Sequence, residues 1–135
     1  MPAGYSAVTP HLVAKDAAAA LDFYGRAFGA IERYRLVEPS GKIGHAEFTI
    51  ADAVVMIADE YPDFGALSPA AFGGSPIKLL VYVDDCDAVV RTAVEAGATL
   101  LRPVKDQFHG DRSGMVRATP RVPLPADRRD RMPRH

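Results

Sequence analysis

Polar and apolar residues alternate most regularly over residues 43–50. Ala46, Phe48 and Ile50 fall on one face, and His45, Glu47 and Thr49 on the other, as in a half-buried strand. Val8 to Ala14, Ile31 to Val37 and Val54 to Ala58 also read as strands. Between the first two, Ala17, Ala20, Leu21, Tyr24, Ala27 and Phe28 recur at helical spacing. Asp16 suits the start of that helix, where a carboxylate accepts from free N–H groups, and Gly29 suits a left-handed stop. Pro39-Ser40-Gly41-Lys42 and Ala51-Asp52 supply turns. Residues 5–59 therefore predict a β-α-β-β-β module.

The pattern returns. Residues 11–30 and 79–98 both run from a short apolar stretch into an acidic helix start, an amphipathic helix and a Gly-Ala stop. Residues 77–117 predict a second module: a strand over Ile77 to Val83, a helix over Cys86 to Ala96 and a strand over Thr99 to Pro103. A polar loop from Val104 to Gly114 and a short strand near Met115 to Arg117 follow. The linker, residues 60–76, is rich in Pro, Gly and Ala. Where the first module places another turn and strand, the second offers Pro120, Pro123, Pro125 and a string of arginines. The second module reads as incomplete, and residues 118–135 as a disordered Pro/Arg-rich tail.

Composition narrows the classes. The 135-residue chain is long enough for a core without staples, and its net charge of −1 favours neither nucleic acid nor an anionic membrane. Residues 117–135 carry +4, however, which leaves −5 on the rest. One cysteine, Cys86, permits no internal disulfide and no Cys-cluster zinc site. With no signal-peptide pattern and no apolar run of membrane-spanning length, the expectation is a cytoplasmic protein.

Several stretches, in order and spacing, carry a family resemblance: Thr9-Pro10-His11-Leu12-Val13-Ala14-Lys15-Asp16, Asp22-Phe23-Tyr24, Ala27-Phe28-Gly29-Ala30, Gly41-Lys42-Ile43-Gly44-His45-Ala46-Glu47, Gly73-Gly74-Ser75-Pro76 and Asp106 through Gly114. With them the chain resembles the vicinal-oxygen-chelate superfamily of glyoxalase I, bleomycin-resistance proteins, fosfomycin-resistance enzymes and extradiol dioxygenases. Within it, the chain is most similar to the glyoxalase-like branch of phosphonate-operon protein B. The resemblance implies an α+β fold of paired βαβββ modules forming a cupped sheet around a metal or ligand cavity. It also implies homodimers, and an unfinished sheet leaves an edge that invites pairing. The departure is at the end. After Arg112-Ser113-Gly114 the branch continues into Asp-Pro-Phe-Gly-His-x-Trp and a last strand, which this chain lacks. We read the C-terminus as the product of a reading-frame shift; a clean frame on resequencing the 3′ end would sink that reading.

The superfamily's ligand positions fall on Thr9 in the first module and Lys78 in the second, neither a usual metal ligand there. A third lies in the missing strand, and the fourth falls near Val54 to Ala58. A different polar set shares the cup: His11, on the face of Thr9, with His45 and Glu47. Two imidazoles and a carboxylate suit one divalent metal (Zn, Fe, Mn or Ni), and His45 and Glu47 suit acid–base work on a bound carbonyl compound. The plain alternative is a solvated sheet face. Thr9, Lys78, Tyr82, His109 and Arg112 are candidate ligand contacts; Arg112 suits a carboxylate or phosphate, or a local pair with Asp106 or Asp111.

Two functions follow. One is a protein that binds or sequesters a small ligand in the cleft between modules without metal. The other is a metal-dependent lyase, isomerase or dioxygenase acting on a small oxygenated metabolite.

Overall fold

The structure, a computed structural model, describes residues 4–75, 77–108 and 110–118. The chain divides into two compact units, residues 1–79 and 80–135.

The first unit holds β1 (His11–Ala14), α1 (Ala17–Phe28), β2 (Ile31–Val37), β3 (Ile43–Ile50) and β4 (Ala53–Asp59). The sheet order is β1-β4-β3-β2, with β1 parallel to β4 and the other pairs antiparallel. This is the β-α-β-β-β module expected from the sequence, with β1 shorter than Val8 to Ala14. Helix α1 lies on one face of the sheet and touches all four strands. Its apolar stripe meets alternate residues of β3 and β4: Ala17, Ala20 and Leu21 pack with Ala46, Phe48, Val55 and Ile57. Tyr24 stacks on Phe48 with ring centroids 5.3 Å apart. Leu12 joins this core, so the opposite face of the sheet carries the odd-numbered side chains of β3 from His45 onward.

Two carboxylates set the start of α1. Asp16 accepts from the Ala19 N–H at 3.0 Å. Asp59, buried at the end of β4, accepts from the Ala17 N–H at 2.7 Å and the Ile43 N–H at 2.6 Å. One side chain thus satisfies an unpaired helix N–H and pins the start of β3 beside it. Gly29 ends the helix in the left-handed conformation, φ 68°.

The linker is not featureless. Tyr61 and Ala66 form a β-bridge, and single 3-10 turns cover Pro62–Phe64 and Pro69–Phe72.

The second unit holds α2 (Cys86–Glu95), β5 (Thr99–Asp106) and β6 (Arg112–Arg117). Asp85 caps α2 by accepting from the Ala88 N–H at 3.0 Å. Helix α2 packs on the β5–β6 hairpin, and Val90, Ala93, Ala98 and Leu100 are buried. Two expectations are corrected here. The polar stretch Val104 to Gly114 is mostly strand, closed by a turn in which the Gln107 N–H donates to the Asp111 carbonyl. A two-stranded sheet with much of both strands exposed needs no apolar alternation, so its ends read as loop. Conversely, Ile77 to Val83 forms no strand, and its described side chains are exposed. The reason is visible in the first unit, where β1 is held by its parallel ladder with β4. Among the described residues the second unit has no counterpart of β4, so this apolar run finds no backbone partner. The expected tail lies outside the described residues except for Ala118.

Candidate functional site

The open face of the first sheet is built by its register. His11 on β1 lies opposite Met56 on β4, Met56 opposite Glu47 on β3, and Glu47 opposite Tyr34 on β2. Four strands thus contribute one transverse row. His45, two residues before Glu47, adds a second level. Its ring centroid lies 5.7 Å from that of His11 and 5.9 Å from that of Tyr34.

Glu47 is the centre of the polar network and is only 3% exposed. A buried carboxylate requires partners, and four side chains supply them. The Tyr5 hydroxyl donates to Oε2 at 2.5 Å and the Tyr34 hydroxyl to Oε1 at 2.9 Å. His45 Nε2 lies 3.6 Å from Oε1, and an Arg33 guanidinium nitrogen lies 3.8 Å from Oε2. Arg33 also sits over the Tyr5 ring, 5.3 Å from its centroid. The Tyr5 hydrogen bond, helped by Tyr34, His45 and Arg33, holds the Glu47 carboxyl below the usual carboxylate range against its own burial. The same bonds push both phenols up, since each O–H is held by a charged acceptor.

Arg33 reaches this network through an irregularity. The pairing of β2 with β3 slips between Glu32 and Tyr34, leaving Arg33 as an extra residue. Such bulges re-aim side chains. A second slip, between Leu36 and Val37, leaves Gly44 unmatched and returns Ile43 to the core face.

His11, His45 and Glu47, expected together, do share this face. Among the described residues, however, no group of three His, Cys, Asp or Glu side chains is disposed to hold a metal ion. Both Glu47 oxygens already accept hydroxyl donors, and the β4 position between His11 and Glu47 is the thioether of Met56, a poor ligand for hard divalent cations. As they stand, these residues do not fit a resident divalent metal. Thr9 donates to the Ser6 carbonyl at 3.3 Å. Lys78 and Tyr82 lie on the exposed stretch that forms no strand. His109 lies outside the described residues. Arg112 makes a two-nitrogen pair with Asp87 on α2, at 2.8 and 2.9 Å, and contacts Asp106 at 3.2 Å. It ties β6 to α2. These carboxylates push the guanidinium up, and the guanidinium in turn holds the Asp87 carboxyl below its ordinary range. Cys86 is free and half-buried.

Sequence reasoning missed Tyr5, Arg33, Tyr34 and Met56. Met56 had a signal: it is out of phase with core-facing Val55 and Ile57, so it must face the cup. Arg33 was hidden by the bulge, and Tyr5 precedes any periodic segment. A separate surface depression at the start of α1 is lined by Lys15, Arg35, Ser40 and Lys42, among others. Two of its three cations are engaged: Arg35 pairs with Glu32, and Lys42 donates to the Glu60 carbonyl at 2.9 Å.

Comparison with known proteins agrees with this architecture. The family model of the Glyoxalase/Bleomycin resistance protein/Dioxygenase superfamily matches residues 6–127. An uncharacterized protein of Mycobacterium bovis is 42% identical over 113 residues, which is 82% of this chain and 74% of the relative. The crystal structure of TioX from Micromonospora sp. is 29% identical with TM-score 0.60, covering 83% of this chain and 86% of that one. A variant of the fosfomycin resistance protein FosX from Listeria monocytogenes, complexed with Mn(II) and dihydroxypropylphosphonic acid, has the same fold. It is 16% identical with TM-score 0.51, covering 83% and 82% of the two chains.

Proposed function

The chain belongs to the glyoxalase/bleomycin resistance/dioxygenase superfamily, and from that premise we propose that it binds a small molecule on the open sheet face of its first module without a metal. The observation that carries this reading is the state of Glu47. Its carboxylate is buried and both oxygens accept from tyrosine hydroxyls. A carboxylate that ligates a cation must turn a lone pair towards it, and here the carboxylate is buried with each oxygen already engaged by a phenol O–H, so a cation would have to compete with both hydrogen bonds. Thr9 and Lys78 at the superfamily's ligand positions, and Met56 between His11 and Glu47, support the same conclusion. Within the superfamily we place the chain in the branch of phosphonate-operon protein B, on the stretches Gly41 to Glu47 and Asp106 to Gly114. Thr9 near the foot of β1 and the rings of His11, His45 and Tyr34 are the contacts we assign to the ligand. We take the protein to be a cytoplasmic homodimer.

The second reading is a metal-dependent lyase, isomerase or dioxygenase in which His11, His45 and Glu47 hold one divalent ion. It is favoured by the two imidazoles on one face and by the manganese in the FosX complex. Elemental analysis of protein purified without an affinity tag or added metal separates the two. Binding without metal predicts far less than one metal per chain, in the wild type and in His45→Ala alike. About one zinc, iron, manganese or nickel per chain, lost in His45→Ala, would establish the second.

A further inference from the structure

We propose that His11, His45 and Tyr34 form a stacking platform for a planar aromatic ligand, whose hydrogen-bond acceptor or anionic group meets the Arg33 guanidinium. The inference rests on the proposed reading of this face as a binding face, and it names the ligand's chemical class.

The three rings follow one another across the sheet at centroid separations of 5.7 and 5.9 Å, each pair tilted by 40°. Those separations lie within the range of interacting aromatic pairs, yet the rings do not bury one another. The His11 side chain is exposed, Tyr34 is 42% exposed, and the His45 side chain is 28% exposed. The sheet's other face spends its aromatic groups differently: Phe48 is buried and stacked by Tyr24. The open face instead leaves ring surface available from β1 across to β2, with a ring on three of the four strands. Met56, half-buried in the same row, adds a polarizable, adaptable floor.

The polar part of the face selects further. Glu47 is 3% exposed with both oxygens engaged, so it presents little acceptor surface to a ligand. Arg33 is different: one nitrogen lies 3.8 Å from Glu47 and its plane rests over Tyr5, while the side chain is 41% exposed. A guanidinium has five N–H donors, more than those contacts use. The complement of this face is therefore a flat π-system with a carboxylate, phenolate or carbonyl at one edge. A saturated ring of equal charge would satisfy Arg33 but forfeit the stacking.

The test compares 2-naphthoate with decahydro-2-naphthoate, acids of equal charge and carbon skeleton, by NMR titration of the full chain. The histidine and tyrosine ring signals are followed. We expect 2-naphthoate to shift the rings of His11, His45 and Tyr34, and the saturated acid to bind about tenfold more weakly. His45→Ala should lose a similar factor, His45→Phe should recover it, and Arg33→Gln should weaken 2-naphthoate binding. Retained amide dispersion shows that each variant is folded. Equal binding of the two acids, or His45→Phe as weak as His45→Ala, overturns the aromatic inference but leaves the binding face standing. Absence of any ring shift with 2-naphthoate overturns it as well. Failure of the underlying reading shows separately, as stoichiometric metal in the untagged protein.

Discussion

Tyr5 and Glu47 lie 42 residues apart in sequence, yet the phenol donates to the carboxylate at 2.5 Å. Through this contact a residue ahead of the first strand reaches the middle of the sheet. With Tyr34 it converts an acidic side chain from a potential ligand into a satisfied internal anion.

The pH dependence follows from that bond. The Glu47 carboxyl is held below its ordinary value of 4.5. A depressed folded value contributes stability that is complete above the unfolded value and is lost as pH falls through the folded one. Urea unfolding of the wild type should therefore weaken progressively below about pH 4.5. Tyr5→Phe should be less stable than wild type at pH 7, and the gap should narrow in acid. A gap that stays constant down to pH 3 would contradict the assignment.

The two phenols predict the opposite limb. Both are raised above their ordinary value of 10.0 by the charged acceptor. Their contribution is complete below the unfolded value and is lost as pH rises through the folded ones. Burial pushes Tyr24 up as well, so ultraviolet titration near 295 nm should show three tyrosines ionising late, and Glu47→Gln should bring Tyr5 and Tyr34, but not Tyr24, back towards the ordinary range.

Asp59 is expected to matter for folding rather than for binding. Its two oxygens accept from Ala17 and Ile43 N–H groups, joining the starts of α1 and β3. Asp59→Ala leaves both donors without that acceptor and should cost roughly 2–3 kcal/mol. Denaturant midpoints measure this; an unchanged midpoint would mean that water replaces the carboxylate freely.

The core makes a sharper prediction. Phe48 is 1% exposed and stacks on Tyr24. Phe48→Ala should destabilise the first unit by about 3–5 kcal/mol, through lost burial and the cavity left behind. Gly29→Ala should cost only about 1 kcal/mol. Its φ is 68° and a Cβ there meets nothing within 4 Å, so the penalty is conformational alone.

The legible parts of this chain are those whose signals are local in sequence. β2 and β3 run over Ile31–Val37 and Ile43–Ile50 as the sequence predicts, and α1 begins after Asp16 and stops at Gly29. Alternation and capping chemistry act locally, so one segment suffices to read them. The failures have non-local causes. Ile77 to Val83 has strand composition, but a strand needs a partner, and composition cannot show that none forms among the described residues. Arg33 enters the site through a slipped register that depends on the neighbouring strand. His45 and Glu47 were legible as cup-facing from parity, whereas the tyrosine that occupies Glu47 came from outside any periodic segment.

The central claim is that the open sheet face carries an internally satisfied carboxylate and binds no metal. The most direct measurement is titration of the protein with Mn²⁺ while the histidine ring signals are recorded by NMR. The ring signals of Phe28 and Phe72 serve as internal references. The account predicts that His11 and His45 broaden no more than the references at one equivalent of metal. Selective loss of the His11 and His45 signals at that ratio, abolished by Glu47→Gln, would contradict it and restore the chelate reading.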